Sequence, residues 1–551
     1  MSSPVPTPSR RTQRAVVVGL TVGAALLAIV RLGTRSLWLD EAYTASTIDR
    51  GFLDLVALTW RDEGYQILHQ LLLWPVGRLS VSEFWLRVPS ALAYIATVPL
   101  LAVVGRRHFG ATVGLVAAAV YALNGFAIVL AQEARSYPFA VFAATLALDG
   151  FLRARDRQSP WRWVAWATVA VWLHGFAFLA VAAPVVVLVA DVRADRTQFR
   201  RWAPPVLALG VAIALPLALP WLHTDVSNDY SFLADLSLGS IRDVGFTLLG
   251  RSGIAAVGVA AACAAGTFVA VRDRDSSLTP VLAMAILPAV ALTAISLVEP
   301  ILLDRYLASS LPAIALIAGY GAVRLAPHRF GPVICAVVLA ASSLGAVRAV
   351  ARPPLEDWRG ATRTLAHEAE VGDALLLPVD EELVALEYYR PRDRNIEQLD
   401  LVWPDVEWGS FATGDQGPTA LDASAAVAVF DERPTPHRIW IVDAKAAPGR
   451  VDTIVARLLD SLDGYGRVAE YRFDGIRLVL IGQLGPAPDV VHGALRSPVH
   501  VFHQHVRELA VAADREQAGD AGPARQRGAG RLVAPGEHGI GDGNPLDEGT
   551  E

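Results

Sequence analysis

The chain has 551 residues, 53% hydrophobic and only 19% charged, with a mean hydropathy of +0.39. Soluble domains run nearer 25% charged, so an ordinary soluble protein is excluded. Two cysteines, Cys263 and Cys335, each inside an apolar block, exclude a secreted disulfide scaffold. A net charge of −6 argues against nucleic-acid binding.

The apolar residues come in blocks of roughly 15–21, long enough to cross a bilayer. The first block, 15–30, follows Arg10, Arg11 and Arg14. No small-residue cleavage site follows it before Trp38, so it reads as a retained helix rather than a signal peptide. Further blocks lie near 84–104, 111–131, 138–152, 161–174, 176–190, 204–222, 253–271, 279–298, 306–323 and 331–350. The fold class is therefore an α-helical polytopic membrane protein with about eleven transmembrane helices. Alternate loops carry arginines (Arg106 and Arg107, Arg153 to Arg162, Arg193 to Arg201, Arg272 and Arg274, Arg324 and Arg329), and positive residues stay on the cytoplasmic side. The intervening loops hold the acids, so the amino terminus is expected inside and everything after Val350 outside.

The first outer loop, 33–83, is long and partly apolar; 52–60 and 67–79 read as amphipathic helices on the membrane surface. From 351 to 485 the texture is that of a small extracytoplasmic α/β domain. Buried strands are expected at 373–379 and 437–444, a helix at 451–462, and a hairpin over Asp474-Gly475. The tail, 486–551, is rich in Gly, Pro, Ala, Arg and Asp and is expected to be largely disordered. Its histidines, His492, His500, His503 and His505, lack the regular spacing of a metal site.

Chemistry is expected on the outer face. Asp40-Glu41 follows the first span directly, and Asp62-Glu63 returns on the far side of the same loop. Gln132, Glu133, Arg135 and Tyr137 form the short loop between the third and fourth spans. His174 tops the fifth span, and Asp304-Arg305-Tyr306 opens the tenth. Ionisable groups at membrane boundaries are expensive unless paired, so acids and arginines on one face suggest a polar cavity. A guanidinium fork suits a phosphate. Together these features suggest group transfer from a phosphate-linked lipid.

Ser36-Leu37-Trp38-Leu39-Asp40-Glu41-Ala42 resembles the Asp-Glu signature in the first outer loop of the C-type (GT-C) membrane glycosyltransferases. That group includes the protein O-mannosyltransferases and the aminoarabinose transferases of lipid A. Gln132-Glu133-Ala134-Arg135-Ser136-Tyr137, Leu303-Asp304-Arg305-Tyr306-Leu307 and Glu356-Asp357-Trp358-Arg359-Gly360 are similar to further motifs of bacterial, mannosyltransferase-like members. One stretch departs: where many relatives carry Pro-Pro-Leu-Tyr-Tyr, this chain reads Asp62-Glu63-Gly64-Tyr65-Gln66-Ile67-Leu68-His69. Which of Asp62, Glu63 and His69 faces the site is left open.

The resemblance implies an inverting transferase at the plasma membrane that moves a hexose or pentose, mannose foremost, from a polyprenyl-phosphate donor. The acceptor would be a glycan, lipid or protein of the cell envelope. Asp40 would be the general base, with Glu41 beside it, and Arg135 and Arg305 would grip the donor phosphate. Asp62, Glu63 or His69 would serve the acceptor or a divalent cation, the only cofactor suggested. Gln132, Glu133, Tyr137, His174, Asp304 and Tyr306 would support them, Glu133 by orienting Arg135. Two rival classes fit a polytopic chain, a lipid or glycan transporter and a non-catalytic envelope scaffold. Convergence of Asp40, Arg135 and Arg305 favours the transferase, and their separation favours the scaffold. A path open to both faces favours the transporter.

Overall fold

In the computed structural model the described residues all lie in one compact unit, 1–484. The described residues are 9–62, 66–218, 236–325, 331–390, 396, 398–404, 406, 408, 421–430, 433–444 and 449–484. The tail and its histidines therefore lie outside the described residues.

Nine helices open the fold. They are α1 (Arg10–Ile29), α2 (Leu39–Ile48), α3 (Phe52–Asp62), α4 (Ile67–Leu79), α5 (Glu83–His108), α6 (Ala111–Ala122), α7 (Gly125–Ala131), α8 (Tyr137–Arg155) and α9 (Trp161–Leu173). Ser9 starts α1 by accepting the Thr12 amide on its hydroxyl, 3.1 Å away. Helix α1 turns Val18, Val22 and Leu26 outward, as a lipid-facing helix must. Asn124 breaks the α6–α7 block: its Oδ1 accepts from Phe126 N and Ala127 N, capping α7 at 61° to α6.

Eight helices among the described residues are long and apolar enough to span a membrane, nine if the bent α6–α7 pair counts as one. The sequence suggests about eleven. The two that fall short are α8, which carries Asp149, Arg153 and Arg155, and α9, with only 13 residues. Both are nonetheless packed within the bundle core. Glycines let backbones approach there: a Cβ on Gly105 would collide with Gly114, and one on Gly321 with the Ala262 carbonyl.

The carboxy-terminal domain holds a five-stranded sheet of β1 (Ala374–Leu376), β2 (Asp400–Trp403), β3 (Arg438–Asp443), β4 (Tyr465–Phe473) and β5 (Ile476–Gln483), in the order β2-β1-β3-β5-β4. β1 pairs parallel with β2 and β3, while β5 runs antiparallel to β3 and forms the expected hairpin with β4. Gly475 takes φ +68 in the hairpin turn, a conformation that suits glycine. Apolar residues of helices Ala423–Ala428 and Arg450–Ser461 pack on one face of the sheet. The core on the other face joins Trp358, Leu365, Leu383 and Leu386 to Leu39 and Ala42 of α2. The sheet domain and helix α2 thus share a hydrophobic core.

Candidate active site at the start of helix α2

The loop before α2 is held by one buried arginine. Arg87, in the first turns of α5, donates from Nε and Nη2 to the two Glu41 oxygens at 2.7 and 2.6 Å. Its remaining N–H groups reach the carbonyls of Leu32, Arg35 and Ser36, each at 2.9 Å. Glu41 is fully buried and also accepts from Ala134 N at 2.7 Å. With both oxygens occupied, it ties α2 to α5 and to the 132–137 loop. The sequence names Glu41 beside Asp40 as a catalytic candidate; the structure sets the two carboxylates in different surroundings.

Adjacent on the same turn, Asp40 points elsewhere. Its Oδ2 lies 3.5 Å from Arg135 Nη2 and 3.6 Å from Arg305 Nη1, and its side chain keeps 19% exposure. Arg135 Nη1 also donates to the Asp40 carbonyl at 3.1 Å. Arg305 lies over the Trp38 ring, 5.1 Å from its centroid, a cation–π contact that fixes the guanidinium's approach. One carboxylate therefore sits between two arginines from distant parts of the chain.

The partners differ from those the sequence suggests. Glu133 pairs with Arg352 at 3.1 Å, not with Arg135, because the 132–137 loop turns its side chain toward the carboxy end of the last membrane helix. Burial pushes the Glu133 carboxyl up from its ordinary range, and Arg352 opposes that shift. Gln132 accepts from Arg35 Nη1 at 2.6 Å and donates to the carbonyls of Leu27 and Val30, anchoring the end of α1. Asp304 accepts the Arg305 backbone N–H at 2.7 Å, starting the tight turn that presents that arginine.

Aromatic and polar groups complete the surroundings. Tyr306 stacks on Phe176 at 3.9 Å, and His174 meets the Tyr137 ring edge-on at 4.7 Å and Ser136 Oγ at 3.4 Å. Ser136 donates to Gln66 at 3.1 Å. His69, on α4, is fully buried against Phe139. Burial, then Arg135 and His174, hold its imidazole well below the ordinary histidine range. Asp62 closes α3, its side chain and Glu63 lying outside the described residues. Among the described residues, no group of three His, Cys, Asp or Glu side chains is placed to hold a metal ion.

Arg87, Arg35 and Arg352 are not among the residues the sequence singles out. For Arg87 the signal is present: a charge inside the apolar block 84–104 is costly unless it has a partner.

No protein-family model and no curated protein matches the chain. Among solved structures, the fold is similar to ArnT from Cupriavidus metallidurans bound to undecaprenyl phosphate. Identity is 15% and the TM-score 0.54, over 86% of this chain and 98% of that one. The apo state of the same protein matches at 15% and 0.54, over 85% and 98%. The archaeal oligosaccharyltransferase AglB from Archaeoglobus fulgidus, in complex with an inhibitory peptide and a dolichol-phosphate, matches at 12% and 0.49, over 88% and 75%. At these identities the comparison bears on architecture: the membrane bundle with its small sheet domain is a fold this chain shares with ArnT.

Proposed function

We propose that this chain is an integral-membrane glycosyltransferase that moves a sugar from a polyprenyl-phosphate donor to a hydroxyl acceptor of the cell envelope. The observation that carries the reading is the meeting of Asp40, Arg135 and Arg305, with one carboxylate oxygen 3.5 and 3.6 Å from the two guanidiniums. That convergence favours a transferase over a transporter or a scaffold. The likeness to a fold crystallised with undecaprenyl phosphate supports a lipid-phosphate donor.

In this mechanism the donor phosphate enters between the arginines and takes over N–H groups that Asp40 otherwise faces. Asp40 then accepts the acceptor hydroxyl's proton as that oxygen attacks the anomeric carbon. The anomeric C–O bond to phosphate breaks, and the electron pair leaves on the lipid phosphate. Arg135 and Arg305 stabilise the charge developing there, where fixed cations help most. One displacement inverts the anomeric centre. Mannose, on the strength of the sequence motifs, is the leading sugar in this reading. One of Asp62, Glu63 and His69 serves the acceptor or a divalent cation; transfer with and without a chelator separates those roles. The amino terminus is inside and the sheet domain outside.

The test is transfer from a short-chain polyprenyl-phosphate sugar by purified protein. Asp40→Asn should lower turnover by about 10²–10⁴-fold while the protein still folds. Near-normal turnover in Asp40→Asn would overturn the assignment.

A further inference from the structure

Helix α2 begins without a cap of its own. Its N-cap residue is Trp38, whose indole can donate but not accept a hydrogen bond. Glu41 supplies half of a capping box by accepting Trp38 N at 3.4 Å. The Leu39 amide, the first of the helix, finds its acceptor 317 positions away: Glu356 Oε2, at 2.9 Å.

That carboxylate is itself held. Trp358, buried in the sheet domain's core, donates from Nε1 to the same oxygen at 2.7 Å. The strap 355–357 is seated on the β4–β5 turn, where Asp357 N donates to the Asp474 carbonyl at 2.8 Å. A Cβ on Gly475 would collide with the Leu355 carbonyl. Neighbouring contacts fix the approach to the helix. Leu37 N donates to Tyr389 Oη at 2.7 Å, and Arg359 N to Ser36 Oγ at 3.1 Å. Tyr389 Oη and Arg359 Nη2 both reach Glu83 Oε1, at 3.2 and 2.7 Å, which anchors the set to the start of α5.

We propose that Glu356 is a positioning residue: from the sheet domain it caps α2 and so sets where Asp40 stands between Arg135 and Arg305. The inference rests on Asp40's role in the proposed transfer. Arg135 and Arg305 lie on other segments, and the Ser90 hydroxyl donates to the Arg135 carbonyl at 2.9 Å. The cap therefore acts first on the base, and reaches the phosphate grip only through the Asp40 carbonyl and the Trp38 ring that Arg135 and Arg305 also touch. The sheet domain becomes part of the catalytic apparatus without touching substrate.

The test compares full-length Glu356→Ala, Glu356→Gln and Gly475→Ala in detergent or nanodiscs. A misplacement of about 1 Å remote from the chemistry can cost on the order of 100-fold. Glu356→Ala should accordingly lower kcat about 10- to 100-fold with donor KM changed less than about threefold. Glutamine keeps an acceptor oxygen and should restore most of the rate. Gly475→Ala, which keeps the Glu356 carboxylate but displaces the strap that carries it, should reproduce the alanine phenotype in milder form. Independently of any substrate, hydrogen–deuterium exchange at the first α2 amides should rise about 3- to 30-fold in Glu356→Ala, the range expected for a lost cap. The segment 304–324 should be unchanged. Unaltered α2 exchange, a kcat loss matching only the fraction unfolded, or no recovery with glutamine would each overturn the inference. If wild type fails to use any polyprenyl-phosphate sugar while α2 exchange still responds, the proposed reaction falls and the cap stands.

Discussion

At the far ends of α5 and α8, Asp149 is ringed by Arg107 Nη1 at 2.6 Å, Arg153 Nε at 2.9 Å and His108 Nε2 at 3.0 Å, and its side chain is 2% exposed. At the near ends Asp40 stands 3.5 and 3.6 Å from its two arginines and is 19% exposed. The first cluster is closed. Its oxygens are occupied at hydrogen-bonding distance, and an entering anion would have to break them apart. The second is looser and partly open, the arrangement that the proposed entry of a phosphate requires. Glu41, one residue from Asp40, belongs with the closed kind: its pair with Arg87 is 2.6 Å and 1% exposed. Two adjacent acids at one helix start thus differ in the distance and exposure of their ion pairs.

The sharpest way to break this comparison is to neutralise one carboxylate of each kind. Asp40→Asn should lose about 10²–10⁴-fold in turnover and keep nearly the wild-type melting temperature. Glu41→Gln should do the reverse. Removing one partner of a buried pair costs about 3–5 kcal/mol, so the yield of folded protein should fall, and the survivors should retain donor binding. Asp149→Asn should behave like Glu41→Gln despite lying at the opposite ends of the helices. Equal melting temperatures for all three variants would remove the distinction.

A smaller effect tests the arginines. Each charged hydrogen bond to a phosphate contributes about 1.5–3 kcal/mol, so Arg305→Ala or Arg135→Ala should weaken donor use about 10- to 100-fold. Lysine keeps the charge but not the fork and should rescue only in part. Donor affinity and melting temperature measured on one Arg305→Ala sample decide the matter. Unchanged affinity with a lowered melting temperature would place Arg305 among the closed, structural pairs.

The smallest effect comes from pH. His69 is buried neutral, its folded pKa held below the ordinary histidine value of 6.5 by burial and by Arg135 and His174. Below about pH 6.5 the unfolded chain binds a proton that the folded protein does not, so stability falls as pH drops through that window and is level above it. The slope from this group is at most about 1.4 kcal/mol per pH unit. Melting temperatures between pH 7.5 and 5 should decline, and His69→Phe, which keeps a ring beside Phe139, should flatten the decline. An unaltered slope would contradict the buried neutral histidine.

How much was legible beforehand differs by element. The helix read at 67–79 from its amphipathic pattern is α4, Ile67–Leu79, and the Asp474-Gly475 turn joins β4 to β5. Strand β2 has four residues, too few to show a period, and helix Glu382–Tyr389 is too nearly buried all round to show a polar face. The span count moved because the apolar blocks at 138–152 and 161–174 fold as α8, which carries Asp149, Arg153 and Arg155, and α9, with only 13 residues. Among site residues, Asp40, Arg135 and Arg305 could be named from their residue types and places at membrane boundaries. Their pairing could not: Glu133 and Asp304 are the nearer acids in sequence, yet Glu133 pairs with Arg352 and both arginines turn to Asp40.

By itself the sequence determined that the chain is a helical membrane protein with a small sheet domain near its carboxy end and acids and arginines gathered at helix ends. Those properties are sums over neighbouring residues, and neighbours are what a sequence displays. Only the tertiary structure decided which carboxylate is locked and which is loose, and that Glu356 closes the helix bearing Asp40. A buried charge is settled by whichever partner the packing brings within about 4 Å, and here the partners lie between 46 and 317 residues apart.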